Sequence, residues 1–65
     1  DKAVQTALKH AGLTSSQVTQ LEAKLDRDGG KLVYEIEFKS GGYEYEYEIN
    51  ASNGSIIKSE KDLDD

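Results

Sequence analysis

Apolar and polar residues alternate along this chain with two different periods, one before residue 12 and one beyond residue 30. Residues 2–11, KAVQTALKHA, repeat apolar positions at three- and four-residue spacing, which predicts an amphipathic helix. Gly12 then caps its C-terminal end, and Leu13 is placed to contact Leu8 in a Schellman motif. Beyond residue 30 the period becomes two, which is typical of strands with one dry and one wet face.

The strands of period two are separated by glycine-containing turns. KLVYEIEFK places Leu32, Tyr34, Ile36 and Phe38 on one face, and YEYEYEIN places its tyrosines and Ile49 on one face with glutamates opposite. The predicted strands lie near 31–39, 43–50 and 55–60. The closing residues, KDLDD, predict a frayed acidic tail.

Residues 14–28 fit two interpretations. Thr14 and Gln17 have the spacing of a capping box that would begin a second helix, with Leu21 and Leu25 on its apolar side. Leu21, Ala23 and Leu25 also alternate with charged residues, as in a strand near 18–28. The residues of this segment alone do not decide between helix and strand.

The turns decide it, because each turn fixes a register that can be compared with the apolar pattern. A two-residue turn at 29–30 pairs Leu25 with Tyr34 and Leu21 with Phe38. A turn at 40–41 pairs Phe38 with Tyr43, and a turn at 52–54 pairs Ile49 with Ile57. All three registers gather apolar side chains on one face, which favours a strand. The predicted fold is α+β, one N-terminal helix packed on a four-stranded antiparallel meander.

Composition narrows the possible functions. The 65 residues form one domain, and 8 basic against 13 acidic residues give a net charge of −5. Nucleic acids and anionic membranes recruit basic patches, so both are excluded as partners. The chain has no Cys, a single His and no apolar run of about 20 residues that would insert in a membrane. Because it begins with Asp1 instead of Met, we expect an excised or processed piece.

The predicted registers place glutamates opposite one another on the wet face. Glu35 is predicted to face Glu46, and Glu37 to face Glu44, with Lys24 beside Glu35. Like charges directly opposite are unfavourable, so this face is the candidate partner-binding surface. Its predicted residues are Glu35, Glu37, Glu44, Glu46 and Glu48.

Other chemistry is not indicated. A flat wet strand lacks the buried, unequal carboxyls of acid–base catalysis, and His10 is placed to interact with the helix dipole. Straight strands do not form the oxygen cage that calcium prefers, so weak surface binding of a cation is the most that the carboxylates offer. We therefore predict no enzyme activity, no metal site and no cofactor.

ALKHAG, LDRDGGKLVYEIEF and GGYEYEYEINASNGSII, in this order, resemble the PepSY domain over nearly the whole chain. These bacterial modules occur in propeptides of secreted metallopeptidases and in envelope lipoproteins, often in tandem. The resemblance implies a helix on an antiparallel sheet, an extracytoplasmic location and inhibition or regulation of a peptidase. Asn50 departs from the Asp that the family commonly carries, which puts any role of that carboxylate in doubt.

Together these observations predict a single PepSY-like domain over residues 1–65, excised from a longer and possibly tandem chain. The expected function is a non-catalytic interaction module of a secreted or envelope-attached bacterial protein, which inhibits or regulates an extracellular peptidase. Its partner would be that peptidase or a neighbouring copy of the domain. Two alternatives stay open, a spacer repeat of a surface lipoprotein and a weakly cation-binding acidic domain. In the spacer alternative, the wet face is covered by solvent and keeps the domain soluble.

Overall fold

A computed structural model describes residues 2–64 and has the predicted α+β architecture. The strands are antiparallel and lie side by side in the order of the sequence, so the sheet is a meander. The elements are helix α1 (Lys2–Ala11), a 3-10 turn (Ser15–Gln17), and strands β1 (Thr19–Asp28), β2 (Lys31–Ser40), β3 (Tyr43–Asn50) and β4 (Ile56–Leu63).

Helix α1 ends in the predicted Schellman motif. Gly12 has φ of 75°, a conformation that costs glycine little, and its N–H donates to the carbonyl of Lys9 at 3.1 Å. The N–H of Leu13 donates to the carbonyl of Leu8 at 3.0 Å, and Leu13 packs against the core. These two bonds use carbonyls that the end of a helix otherwise leaves unpaired, and they turn the chain toward the sheet.

Residues 14–28 contain one short turn of 3-10 helix followed by strand β1. The backbone N–H of Thr14 donates to Oε1 of Gln17 at 2.8 Å, so the capping spacing initiates the 3-10 turn only. β1 then begins at Thr19, and the strand interpretation is confirmed. Gln20 has φ of 53° at a bulge where β1 departs from regular pairing, so the predicted pairing of Leu21 with Phe38 is wrong.

The β1–β2 and β2–β3 hairpins each turn at a glycine pair. Gly29-Gly30 forms the predicted turn, and Leu25 lies opposite Tyr34. The predicted turn at 40–41 is wrong, because the chain turns at Gly41-Gly42, with φ of 59° and 82°. A tight hairpin of this kind needs positive φ at both central residues, which a glycine pair adopts without strain.

The displaced turn moves every β2–β3 pair by two residues and leaves the faces unchanged. Phe38 therefore lies opposite Tyr45 instead of Tyr43, and Ile36 lies opposite Tyr47. Because side chains alternate with a period of two, a shift by two residues keeps every apolar residue on the apolar face.

The loop between β3 and β4 covers residues 51–55 and is held by Asn50. Its Oδ1 accepts hydrogen bonds from the N–H and the Oγ of Ser52 at 2.8 and 2.7 Å, so an amide is sufficient to form this turn. A bulge follows, which sets Ile49 opposite Ile56, and the predicted pairing with Ile57 is wrong.

The predicted fraying of KDLDD is also wrong within the described residues, because β4 continues to Leu63. Leu63 pairs with Tyr43, and the N–H of Asp64 donates to the carbonyl of Gly42 at 3.0 Å. An ion pair of 3.3 Å between Lys39 and Asp64 holds the same end. The tail stays ordered because β3 offers it a complete row of backbone partners.

The core lies between α1 and the centre of the sheet. The contacting buried residues are Ala3, Ala7, Leu8, Ile36, Phe38, Tyr45, Tyr47 and Ile49. A helix about 10 Å wide covers roughly two strands spaced 4.8 Å apart, here β2 and β3. Leu25 and Leu32, predicted on the dry face, are consequently 53% and 45% exposed.

Candidate functional site

The side of the sheet opposite α1 collects most of the acidic residues of the protein. Strand pairing places ten of the thirteen there, together with Lys24, Lys31, Lys39 and Lys58. We call this side the acidic face, and its acidic residues are Glu22, Asp26, Asp28, Glu35, Glu37, Glu44, Glu46, Glu48, Glu60 and Asp62. The five glutamates predicted as a binding surface are all among them.

The glutamates face different partners from those predicted, because the β2–β3 register differs by two residues. Glu35 lies opposite Glu48 instead of Glu46, and Glu37 lies opposite Glu46 instead of Glu44. Glu44 itself lies opposite Lys39. The β2–β3 pairing therefore keeps two directly opposed glutamate pairs, while Glu44 gains a cation on its β2 side.

Two carboxyl pairs on the acidic face share a hydrogen bond. A hydrogen bond with Glu46 is the main cause that raises the pKa of Glu37, followed by desolvation and nearby negative charges. A hydrogen bond with Asp26 likewise raises the pKa of Glu35 and lowers that of Asp26. Two carboxyls in contact share a proton more readily than they both ionise, since like charges at that distance repel.

Lys58 is the main cation of the β3–β4 side of the acidic face. Its Nζ lies 3.1 Å from a carboxylate oxygen of Glu60, 3.4 Å from Glu46 and 3.9 Å from Glu48. The hydrogen bond with Glu60 is the main cause that raises the pKa of Lys58. Lys24 lies opposite Glu35, as predicted. Carboxylates thus outnumber lysines, and a basic partner has unneutralised charge to contact.

Sequence reasoning missed part of this surface. Glu22 lies opposite Glu37, Asp26 contacts Glu35, and Glu60 contacts Lys58, yet none was among the predicted binding residues. The signal was present, because each of the three alternates with apolar or helix-side residues in its strand. The predicted strands near 18–28 and 55–60 already contain all three residues, so the same alternation could have placed them on the wet face.

Because glutamates lie opposite one another, we expect the stability of the domain to increase as the pH falls below neutral. Because folding raises the pKa of Glu35 and Glu37 above its usual 4.5, their protonated forms favour the native state. The melting temperature should therefore rise as pH falls from neutral toward 4.5. Asp26 acts in the opposite sense, and its contribution is lost only as pH falls below its usual 3.8.

Glu37→Gln should accordingly raise the melting temperature at pH 7 by a few degrees and reduce its change between pH 7 and 5. Asp28→Asn is the matched control, since Asp28 lies opposite Lys31 and its loss removes an attraction. Thermal unfolding followed by circular dichroism checks both variants. A lower melting temperature for Glu37→Gln at pH 7 would contradict the inferred repulsion.

The charged side chains of the acidic face stand in rows along the strands of the sheet. Acid–base catalysis relies on a carboxyl held in a pocket, whereas no charged side chain among residues 2–64 is buried. Within the same range, no three side chains of the usual metal-ligand types cluster so as to hold an ion. His10 lies on the other side of the sheet, where its Nδ1 is 3.0 Å from the hydroxyl of Tyr47.

Comparison with known proteins gives a family and two relatives. Residues 1–60 match the family model described as "Peptidase propeptide and YPEB domain". The uncharacterized protein Spy1430 of Streptococcus pyogenes serotype M6 is 42% identical over 66 residues, covering 100% of this chain and 51% of the relative. The uncharacterized protein YkoJ of Bacillus subtilis is 43% identical over 63 residues, covering 95% of this chain and 34% of the relative.

The chain thus spans about half the length of one curated relative and a third of the other. No solved structure gives a significant match. Within the part of the chain that the structure describes, α1 is the only α-helix, and it is too short and too polar to cross a membrane.

Proposed function

Because the chain belongs to the family of peptidase propeptide and YPEB domains, we propose that it is a non-catalytic module that binds and restrains an extracellular peptidase. Domains of this family occur in extracytoplasmic proteins and are generally propeptide-like regulators without catalytic activity. We further propose that the parent protein is secreted or attached to the bacterial cell envelope. The two curated relatives, both bacterial, support the bacterial part of this proposal.

The acidic face is the surface that we assign to peptidase binding. The observation that supports it is the placement of ten carboxylates on one uncovered side of the sheet, including Glu37 opposite both Glu22 and Glu46. Neighbouring carboxylates of like charge carry a local cost in the free domain. A partner with Lys or Arg side chains would relieve that cost and would also be steered toward the face from a distance.

The raised pKa of Glu35 and Glu37 should make partner binding depend on pH. A cation of the partner near Glu37 or Glu35 would favour the ionised carboxylates and lower their pKa, so that complex formation would release protons. Because the pKa of Glu35 and Glu37 in the free domain lies above the usual 4.5, binding would then strengthen as the pH rises through that raised pKa.

Capture from the secreted fraction of the source bacterium tests the proposal. The immobilised domain should retain a peptidase, identified by its proteolytic activity after elution in high salt. The triple variant E44Q/E46Q/E48Q should retain much less of it. D1N/D64N/D65N is the matched control, because it also removes three negative charges but keeps all ten carboxylates of the acidic face. Equal capture by both triple variants would exclude the acidic face as the binding surface.

A further inference from the structure

β1 is a long strand at one edge of the sheet, and no strand within residues 2–64 pairs with its outer side. It runs for ten residues, forms one border of the sheet, and every one of its residues is exposed. Leu21 and Leu25 lie on the helix side, and they are 42% and 53% exposed because α1 covers only the central strands. An uncovered edge of this length presents unpaired N–H and C=O groups to any strand that fits it.

We propose that β1 pairs antiparallel with β1 of a second copy of this chain, about a two-fold axis through Ala23. The two four-stranded sheets would join into one continuous sheet of eight strands, with both helices on the same side. This is an isologous contact, in which each copy contributes the same residues, and it closes after two copies. It uses the edge of the sheet and does not depend on binding of a peptidase by the acidic face.

The chemistry of residues 21–25, LEAKL, identifies the second copy as the occupant. Reversing this stretch exchanges Glu22 and Lys24 and leaves apolar residues at both ends. Two antiparallel copies centred on Ala23 therefore place Glu22 of each opposite Lys24 of the other. The same register sets Leu21 of each copy opposite Leu25 of the other.

Neighbouring registers are disfavoured by charge. When two copies of β1 pair antiparallel, opposite side chains lie on the same face of the sheet only if the two-fold axis passes through a residue. The alternative registers therefore place this axis at another residue of β1. An axis through Glu22, Lys24 or Asp26 sets that charged residue against itself. An axis through Leu25 sets Glu22 against Asp28. Among axes from residue 22 to residue 26, the one through Ala23 alone opposes no like charges.

The pairing would also complete both faces of the sheet. On the helix side, four leucines from the two copies would fill the space beside the two helices and leave water. On the acidic face, Lys24 of the second copy would approach Glu22, which in the free domain lies opposite Glu37. The second copy thus supplies a cation where the face is most acidic and apolar surface where the core is uncovered.

Sedimentation equilibrium of charge variants tests the pairing. The native chain should form a dimer at concentrations where E22K alone and K24E alone are monomeric, each weakened roughly tenfold or more by two like-charge contacts. An equimolar mixture of E22K and K24E should dimerise again, since the two lysines that one variant carries at these positions then face the two glutamates of the other. Circular dichroism verifies that each variant is folded.

K2E is the matched control, because it makes the same charge change as K24E at an exposed position on α1. It should dimerise like the native chain. A native chain that stays monomeric at millimolar concentration would overturn the proposal. So would a dimer that E22K and K24E leave intact, or a mixture of the two that stays monomeric.

Discussion

Phe38→Ala should lower the free energy of unfolding by about 3–5 kcal/mol. Phe38 is 1% exposed, and its ring stacks on Tyr45 and Tyr47 with centroid distances of 5.1 and 6.0 Å. Truncation would leave a cavity between the helix and the two central strands, which rigid rings cannot fill by small movements. A domain of 65 residues has a total stability of roughly 3–10 kcal/mol, so a third of it or more would be lost.

Urea unfolding monitored by circular dichroism measures this loss. Leu25→Ala is the control, because Leu25 points to the same side of the sheet but is 53% exposed. Its replacement should cost well below half as much as that of Phe38 at concentrations where the chain is monomeric. Equal unfolding midpoints for the native chain and Phe38→Ala would contradict the position assigned to the core.

The second large effect concerns partner binding. E44Q/E46Q/E48Q should weaken binding to the captured peptidase by about 10- to 100-fold, mostly through a slower association rate at low salt. Removing three carboxylates also leaves Lys58 without two of its three ion-pair partners, so that its positive charge is neutralised by Glu60 alone. The fold should persist, since these side chains lie outside the core.

Surface plasmon resonance at two salt concentrations measures the effect. In about 0.5 M salt the native domain should approach the affinity of the triple variant, because the Debye length falls to a few ångströms. D1N/D64N/D65N should bind like the native domain at low salt. A salt-independent difference between the native domain and the triple variant would contradict electrostatic attraction as its cause.

Much of the fold could be predicted from local pattern alone. The helix of residues 2–11, its glycine cap and the membership of each strand face depend on periodicity and on Gly12. These are properties of neighbouring residues, so they can be read without knowledge of distant contacts. The α+β class followed because a helix with one apolar stripe needs an apolar sheet to cover.

The β2–β3 register shows what the pattern could not determine. A period of two assigns the same residues to each face whether the turn is centred at 40–41 or at 41–42. Only the turn at 41–42 places glycine at both central positions. Applying that requirement to Ser40 would have corrected the register, and with it the partners of Glu35 and Glu37. The bulges at Gln20 and Ile49 had no comparable signal.

The extent of the core was also beyond the sequence pattern. Leu25 and Leu32 alternate as core residues do, but burial depends on how far a single short helix reaches across the sheet. For the candidate site, the pattern correctly assigned the predicted glutamates to one face of the sheet. It could not give their cross-strand partners, because these depend on the position of the turn. Glu22, Asp26 and Glu60 joined the site through tertiary pairing of β1 and β4.

Inhibition of the captured, purified peptidase by the isolated domain is the most direct test of the central claim, that this chain restrains a peptidase through its acidic face. We predict that the native domain and D1N/D64N/D65N reduce the initial rate of peptide cleavage with the same inhibition constant. E44Q/E46Q/E48Q should need about 10- to 100-fold more protein for equal inhibition. Absence of inhibition by the native domain at high micromolar concentration, or equal inhibition by all three proteins, would contradict the claim.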